Sequence, residues 1–177
     1  MTNPVDFMIE NDEVIANFIA LAVQEEVRSD QMNIYAAVPS DLLEARQLVK
    51  DSGLPFEDIS TILLKHFGVL RDGSKLIGLV GLEPFREASL LRSLAVAPAW
   101  RGQGLGGQLT NWAEEQARSL GNRWLYLLTT TAEEYFVRRG YQKIRREDAP
   151  AEIQATVEFK NLCPLTAACM EKELSRV

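Results

Sequence analysis

The stretch Leu94–Leu109, LAVAPAWRGQGLGGQL, decides how the chain is read. It opens on apolar residues that suit a strand, passes through Ala97, Pro98, Ala99, Trp100 and Arg101, and carries Gly102, Gly104, Gly106 and Gly107 into residues with helical spacing. A glycine loop between a strand and a helix lets backbone approach a ligand closely. The unpaired N–H groups of the helix's first turn, helped by its dipole, then favour negative charge, so phosphate is the expected guest.

Two kinds of diphosphate fit such a loop. Gly102, Gly104 and Gly107 satisfy the Gly-x-Gly-x-x-Gly spacing of dinucleotide-binding proteins. That pattern also asks for its first glycine directly after the strand and for an acidic residue at the end of the next strand. Here Ala97–Arg101 intervenes after Val96, and the next apolar run ends in Thr129, Thr130 and Thr131. A Walker loop fails because no Gly-Lys-Ser/Thr follows. The other reading is Arg101-x-x-Gly104-x-Gly106, in which an arginine and the glycine backbone take the pyrophosphate arm of coenzyme A.

Outward from the loop, the order of elements reads as α/β. Ser89–Val96 is a strand, Gly106–Leu120 a helix stopped by Gly121, and Arg123–Thr130 a strand, which makes a βαβ unit with parallel strands. Upstream, Asn33–Val38 reads as a short strand. Pro39–Gly53 reads as a helix capped by Ser40, Phe56–His66 as a second helix, and Phe67–Phe85 as a hairpin around an Asp72-Gly73 turn. Downstream come a short helix in AEEYFVRRG, a strand in YQKIRR, a helix over Ala149–Leu162 with Pro150 near its start, and a final strand in TAACMEKEL. The sheet is therefore expected to be mixed. Asp12–Val27 has amphipathic helical spacing, which divides the chain into a helical extension, 1–32, and a domain, 33–177.

Composition narrows the partners. With 19 Lys and Arg against 25 Asp and Glu, the 177-residue chain carries a net charge of −6, which disfavours nucleic acid. No apolar run reaches the roughly 20 residues that span a bilayer, and the acidic N-terminus is unlike a signal peptide, so the expectation is a cytoplasmic protein with no membrane partner. Cys163 and Cys169 lack zinc spacing and His66 is the one histidine, so no metal site is expected and the thiols read as reduced and structural. His66, between a predicted helix and a predicted strand, reads as a packing or capping residue.

At this point the residues resemble a family. LAVAPAWRGQGLGGQL is similar to the acetyl-CoA signature of the GNAT N-acetyltransferases, and the resemblance is specific over Leu90–Tyr141. It implies a mixed, mostly antiparallel sheet with flanking helices, whose one parallel pair splays apart to admit pantetheine. LLRSLAVAP, LYLLTTTAEEYF and APAEIQATVEFKNLCPLTAACM together resemble the arsenic-resistance branch, whose relatives acetylate the α-amino group of glutamate-like toxins. The cosubstrate implied is acetyl-CoA, the acceptor a small amine, and a homodimer is one assembly this allows.

The resemblance also implies roles. The backbone of Leu94, Ala95 and Val96 would pair with pantetheine and offer an N–H to the thioester oxygen. Arg101, Gly102, Gln103, Gly104, Leu105 and Gly106 would take the pyrophosphate. Thr129 stands where many relatives have Asn, and Phe136 where they have the Tyr that protonates the leaving thiolate, so Phe136 would line the cofactor and the neighbouring Tyr135 is the candidate acid.

The amine must lose a proton before it attacks, because its ordinary pKa keeps it charged at neutral pH. Relatives carry a Glu on the strand before the loop, whereas Ser89–Val96 has no carboxylate. Glu83 is the first candidate base and Glu87 the second. Arg92, in the middle of an apolar strand, must meet a carboxylate of the protein or of an acceptor, and it is the candidate substrate-binding residue. Residues 149–163 fall where relatives build the acceptor wall. A peptide or protein acetyltransferase and a catalytically weakened acyl-CoA-binding module remain as alternatives.

Overall fold

Asp72 and Lys75 face each other across a turn of Gly73 and Ser74, with Gly73 at φ 55°, which closes a hairpin within the sheet. A two-residue turn with positive φ at its first position matches the twist of antiparallel strands. In the computed structural model, which describes residues 32–174, the strands are β1 (Ile34–Ala36), β2 (Phe67–Asp72), β3 (Lys75–Pro84), β4 (Ala88–Val96), β5 (Trp124–Thr129), β6 (Gln142–Ile144) and β7 (Ala168–Glu173). They form one seven-stranded sheet in the order β1-β2-β3-β4-β5-β7-β6. Only β4 and β5 run parallel, as the βαβ reading requires. The extension expected over residues 1–32, with its amphipathic stretch, lies outside the described residues up to position 31.

Five helices accompany the sheet among the described residues: α1 (Leu42–Asp51), α2 (Thr61–Leu64), α3 (Leu105–Ser119), α4 (Glu133–Arg138) and α5 (Ala151–Gln154). In α3, the helix after the glycine loop, Leu105, Leu109, Ala113 and Ala117 are buried at four-residue intervals, so one stripe faces the sheet. Glycines make the approach possible. A Cβ on Gly68 would lie 2.7 Å from the Trp112 ring of α3, and one on Gly81 would enter the Phe67 ring of the neighbouring strand. No helix among the described residues is long and apolar enough to cross a membrane.

Three local expectations change. Ser40 does not cap α1; it is exposed, and Asp41 organises that turn, accepting the Val38 N–H at 2.9 Å and binding Arg71 at 2.6 Å. A carboxylate with two partners outcompetes a hydroxyl for that place. The helix expected over Phe56–His66 shrinks to α2: Phe56–Ile59 closes as a separate turn, the Ile59 N–H donating to the Phe56 carbonyl at 3.2 Å, Asp58 is held by Arg92, and α2 starts only after Ser60, whose hydroxyl accepts the Leu63 N–H. The helix expected over Ala149–Leu162 is broken: α5 ends at Gln154, the Thr156 hydroxyl donates to the Ile153 carbonyl and accepts the Phe159 N–H, and Glu158–Leu162 forms a single π turn. Wide turns of this kind re-aim side chains and recur at functional sites.

Candidate active site

The parallel pair opens almost as soon as it forms. Ala88, Ser89 and Leu90 pair with Trp124, Leu125 and Tyr126, and beyond them β4 and β5 share no paired residues. On its other edge β4 pairs Val96 with Gly78, Ala95 with Leu79, and Arg92 with Gly81, so three steps of β4 match two of β3. Ser93 and Leu94 therefore form a β-bulge, and Ser93 sits at φ 55°. A positive φ at a residue other than glycine costs about 1–3 kcal/mol, and a bulge bends its strand and re-aims the neighbouring groups.

The fork opens on a cavity of about 550 Å³. Arg92, Ser93 and Leu94 of β4 line it, with Leu127, Leu128 and Thr129 of β5 opposite and Phe136, Glu158 and Cys163 along its walls. Phe136 is buried and meets the Tyr135 and Tyr141 rings edge-on, with centroids 4.9 and 5.2 Å away. Thr129 Oγ1 accepts the Ala132 N–H at 3.0 Å and so shapes the entry to α4.

The glycine loop runs from β4 into α3. Gly102 and Gly104 both sit at φ 78°, and a Cβ at either would project into space with no atom within 4 Å. The first backbone hydrogen bonds of α3 run from Gly107 and Gln108 to the Gly104 carbonyl, at 2.9 and 3.2 Å. The amides of Gly104, Leu105 and Gly106 have no protein acceptor among the described residues. Free first-turn donors beside open, Cβ-free space fit a diphosphate. Arg101 is exposed at the same corner, its Nε bonded to the Val96 carbonyl at 2.9 Å.

Arg92 is buried inside a ring of carboxylates. Asp58 grips it in a bidentate pair at 2.6 and 2.7 Å, Glu158 meets Nε at 2.9 Å, and Glu83 lies 3.5 Å from Nη1. Burial opposes its charge, but Asp58, Glu158 and Glu83 outweigh that and raise its pKa above the ordinary value. Three carboxylates around one guanidinium cannot all be neutralised. Burial pushes Glu158 up to about 7 against the pull of Arg92, with Asp58 and Glu83 adding to the rise. Glu83 is raised for the same first reason, burial, partly offset by Arg92.

The sequence-derived candidates are thus divided. Leu94, Thr129 and Phe136 come together at the cavity, while Arg101, Gly102, Gln103, Gly104, Leu105 and Gly106 form the loop beside it. Ala95 and Val96, which pair with β3, carry β4 into that loop. Arg92 reaches the cavity with its guanidinium held by protein carboxylates. Glu83 lies behind Arg92 at the end of β3, and Glu87 is exposed in the turn before β4. The Tyr135 hydroxyl turns to α3, bonding Thr110 Oγ1 at 2.9 Å, and its ring carries the Arg139 guanidinium. His66 hydrogen-bonds through its backbone to Leu63 and Leu82, and burial lowers its imidazole pKa.

Pro164 folds the chain back, its carbonyl accepting the Ala167 N–H at 2.9 Å, and Cys163 and Cys169 are free thiols, as their lack of zinc spacing suggested. Burial pushes their pKa values to about 12 and about 11, so both stay protonated at neutral pH. Sequence reasoning missed Glu158 and Asp58. The one signal available was the need of Arg92 for a buried carboxylate.

Residues 64–143 match the model of the acetyltransferase (GNAT) domain. N-acetylglutamate synthase from Neisseria gonorrhoeae, solved with coenzyme A and N-acetyl-glutamate, superposes with a TM-score of 0.73 at 21% identity, over 82% of this chain and 36% of that one. The fold is the GNAT fold. A Mycobacterium tuberculosis protein solved with CoA and NLQ shares the GNAT fold at a TM-score of 0.70 and 23% identity, over 81% of this chain and 99% of that one. Among curated proteins, the amino-acid acetyltransferase of Pseudomonas paraeruginosa is 33% identical over 99 residues, 55% of this chain and 23% of that protein. That of Azotobacter vinelandii is 34% identical over 116 residues, 62% of this chain and 27% of that protein. The chain thus spans about a quarter of the length of these relatives.

Proposed function

We propose that the chain is an acetyl-CoA-dependent N-acetyltransferase that moves an acetyl group to a primary amine of a small, amino-acid-like molecule by direct attack. The observation that carries this reading is the set of free amides at Gly104, Leu105 and Gly106 beside strands that part over a 550 Å³ cavity. Acetyl-CoA supplies the activated acetyl group. Arg101, Gly102, Gln103, Gly104, Leu105 and Gly106 bind its pyrophosphate, the backbone of Leu94–Val96 aligns the pantetheine arm, and Phe136 and Thr129 wall the channel.

An amino-acid-like acceptor is supported by the relatives named amino-acid acetyltransferase, and a small one by the enclosure that Glu158–Cys163 adds. Phosphinate and arsonate analogues of glutamate belong to the same class, toward which the resemblance to the arsenic-resistance branch points. The thiols suit a cytoplasmic location. The test is a thermal melt with acetyl-CoA, followed by free-thiol release across amino acids and these analogues. A rise in Tm with thiol release on at least one acceptor is expected. A rise in Tm without release on any would replace the enzyme with an acyl-CoA-binding module, and no rise would remove the glycine-loop assignment.

A further inference from the structure

Resting on that transferase reading, we propose that Glu158, delivered by the π turn between α5 and β7, is the general base that takes the proton from the attacking amine, with Arg92 holding its carboxylate in place. Strand β4 carries no carboxylate, so a base must come from another element. Of the three carboxylates around Arg92, Glu158 is the one that also lines the cavity, together with Ser93 and Leu94 of the bulge. Its Oε2 is fixed on Arg92 Nε at 2.9 Å. Its Oε1 meets only the Cys163 thiol, at 3.7 Å, a weak donor that leaves the oxygen able to accept a proton.

The surroundings set when it can do so. Arg92 from β4, Asp58 from the segment before α2, Glu83 from β3 and Cys163 at the end of the turn all face it. Arg146 stands behind Cys163, with its guanidinium on the Phe159 and Pro164 carbonyls. Asp58 and Glu83 share the one guanidinium with Glu158, so the ring has a negative excess that draws an ammonium group inward. In the reaction an N–H bond of the ammonium breaks as its proton passes to Glu158 Oε1 and on to solvent. The freed amine forms the C–N bond while the thioester C–S bond breaks, and the proton that nitrogen then sheds ends on the departing thiolate by way of solvent, as a thiol of ordinary pKa allows.

The test uses Glu158→Gln in the full chain, a replacement of the same size that removes the charge and the basic oxygen. With acetyl-CoA and the common amino acids as acceptors, the variant is expected to keep the acetyl-CoA-induced rise in Tm and the acceptor KM. Its kcat should fall by about 10²- to 10⁴-fold, and the acid limb of kcat/KM, centred near 7 in the wild type, should vanish. A folded variant with wild-type kcat and acid limb overturns the proposal. Should the variant not fold, infrared spectra of the wild type decide. A buried carboxyl band fading across about 7 supports the assignment, and the lack of any such band overturns it. Failure of the wild type to release thiol with any acceptor instead overturns the transferase reading, whatever Glu158 does.

Discussion

Replacing Gly104 separates what the glycine does for the fold from what it does for a ligand. At φ 78° any other residue is strained, by about 1–2 kcal/mol. Because no atom lies within 4 Å of an added Cβ, Gly104→Ala and Gly104→Glu meet the same backbone strain and no clash at Cβ. For a domain of this size that lowers Tm by roughly 2–8 °C in both variants. Binding separates them. A carboxylate at about 4 Å from a phosphate charge costs between about 1 kcal/mol, as in water, and about 4 kcal/mol at the effective dielectric of a protein surface. That is roughly five-fold to a thousand-fold in affinity beyond the alanine variant. Thermal melts and calorimetric titration with coenzyme A measure the two effects independently. Equal affinity of the alanine and glutamate variants would refute the placing of a diphosphate at this corner.

The remaining predictions concern packing and charge. Gly81→Ala drives a methyl group into the Phe67 ring, and a loss of about 1–3 kcal/mol in denaturant unfolding is expected. Lys172→Met leaves Glu114, which Lys172 binds at 2.7 and 2.8 Å across α3 and β7, with only a distant Arg118 and the Tyr141 hydroxyl; a loss of about 3 kcal/mol is expected by the same measurement. Stability also depends on pH through Glu158. The unfolded chain releases this proton near 4.5 and the folded chain holds it to about 7, so the contribution is whole below 4.5 and is lost as pH rises to about 7. Melts of Glu158→Gln across that range should show a flatter profile than the wild type, and identical profiles would contradict the raised value.

What could be seen in the sequence was whatever local chemistry decides alone. The hairpin at Gly73, the βαβ unit from β4 to β5 and the stop of α3 at Gly121 follow from turn residues and periodicity. The loop after Val96 was legible because glycines and an arginine in that position have few other uses. Glu158 was not legible, because its direction depends on one π turn, and that turn depends on Thr156 hydrogen-bonding both ways at once. The same holds for Asp58, which reads as part of a helix until Arg92, 34 residues later, claims it. Arg92 itself could be recognised as needing a negative partner, but not which one, since three compete for it.

The parting of β4 from β5 is anchored at a single point. Ser89, in the last stretch where the strands pair, bonds Asn122 at 2.5 Å, and Asn122 in turn holds the Phe85 carbonyl at 2.9 Å. This buried clasp sits at the vertex of the wedge, while toward the mouth β4 keeps only its β3 edge and β5 only its β7 edge. A guest with its own amide groups, threaded between the two arms, would act as the missing strand and knit the two halves of the sheet into one. The two facing edges are in this sense an open seam in an otherwise continuous sheet.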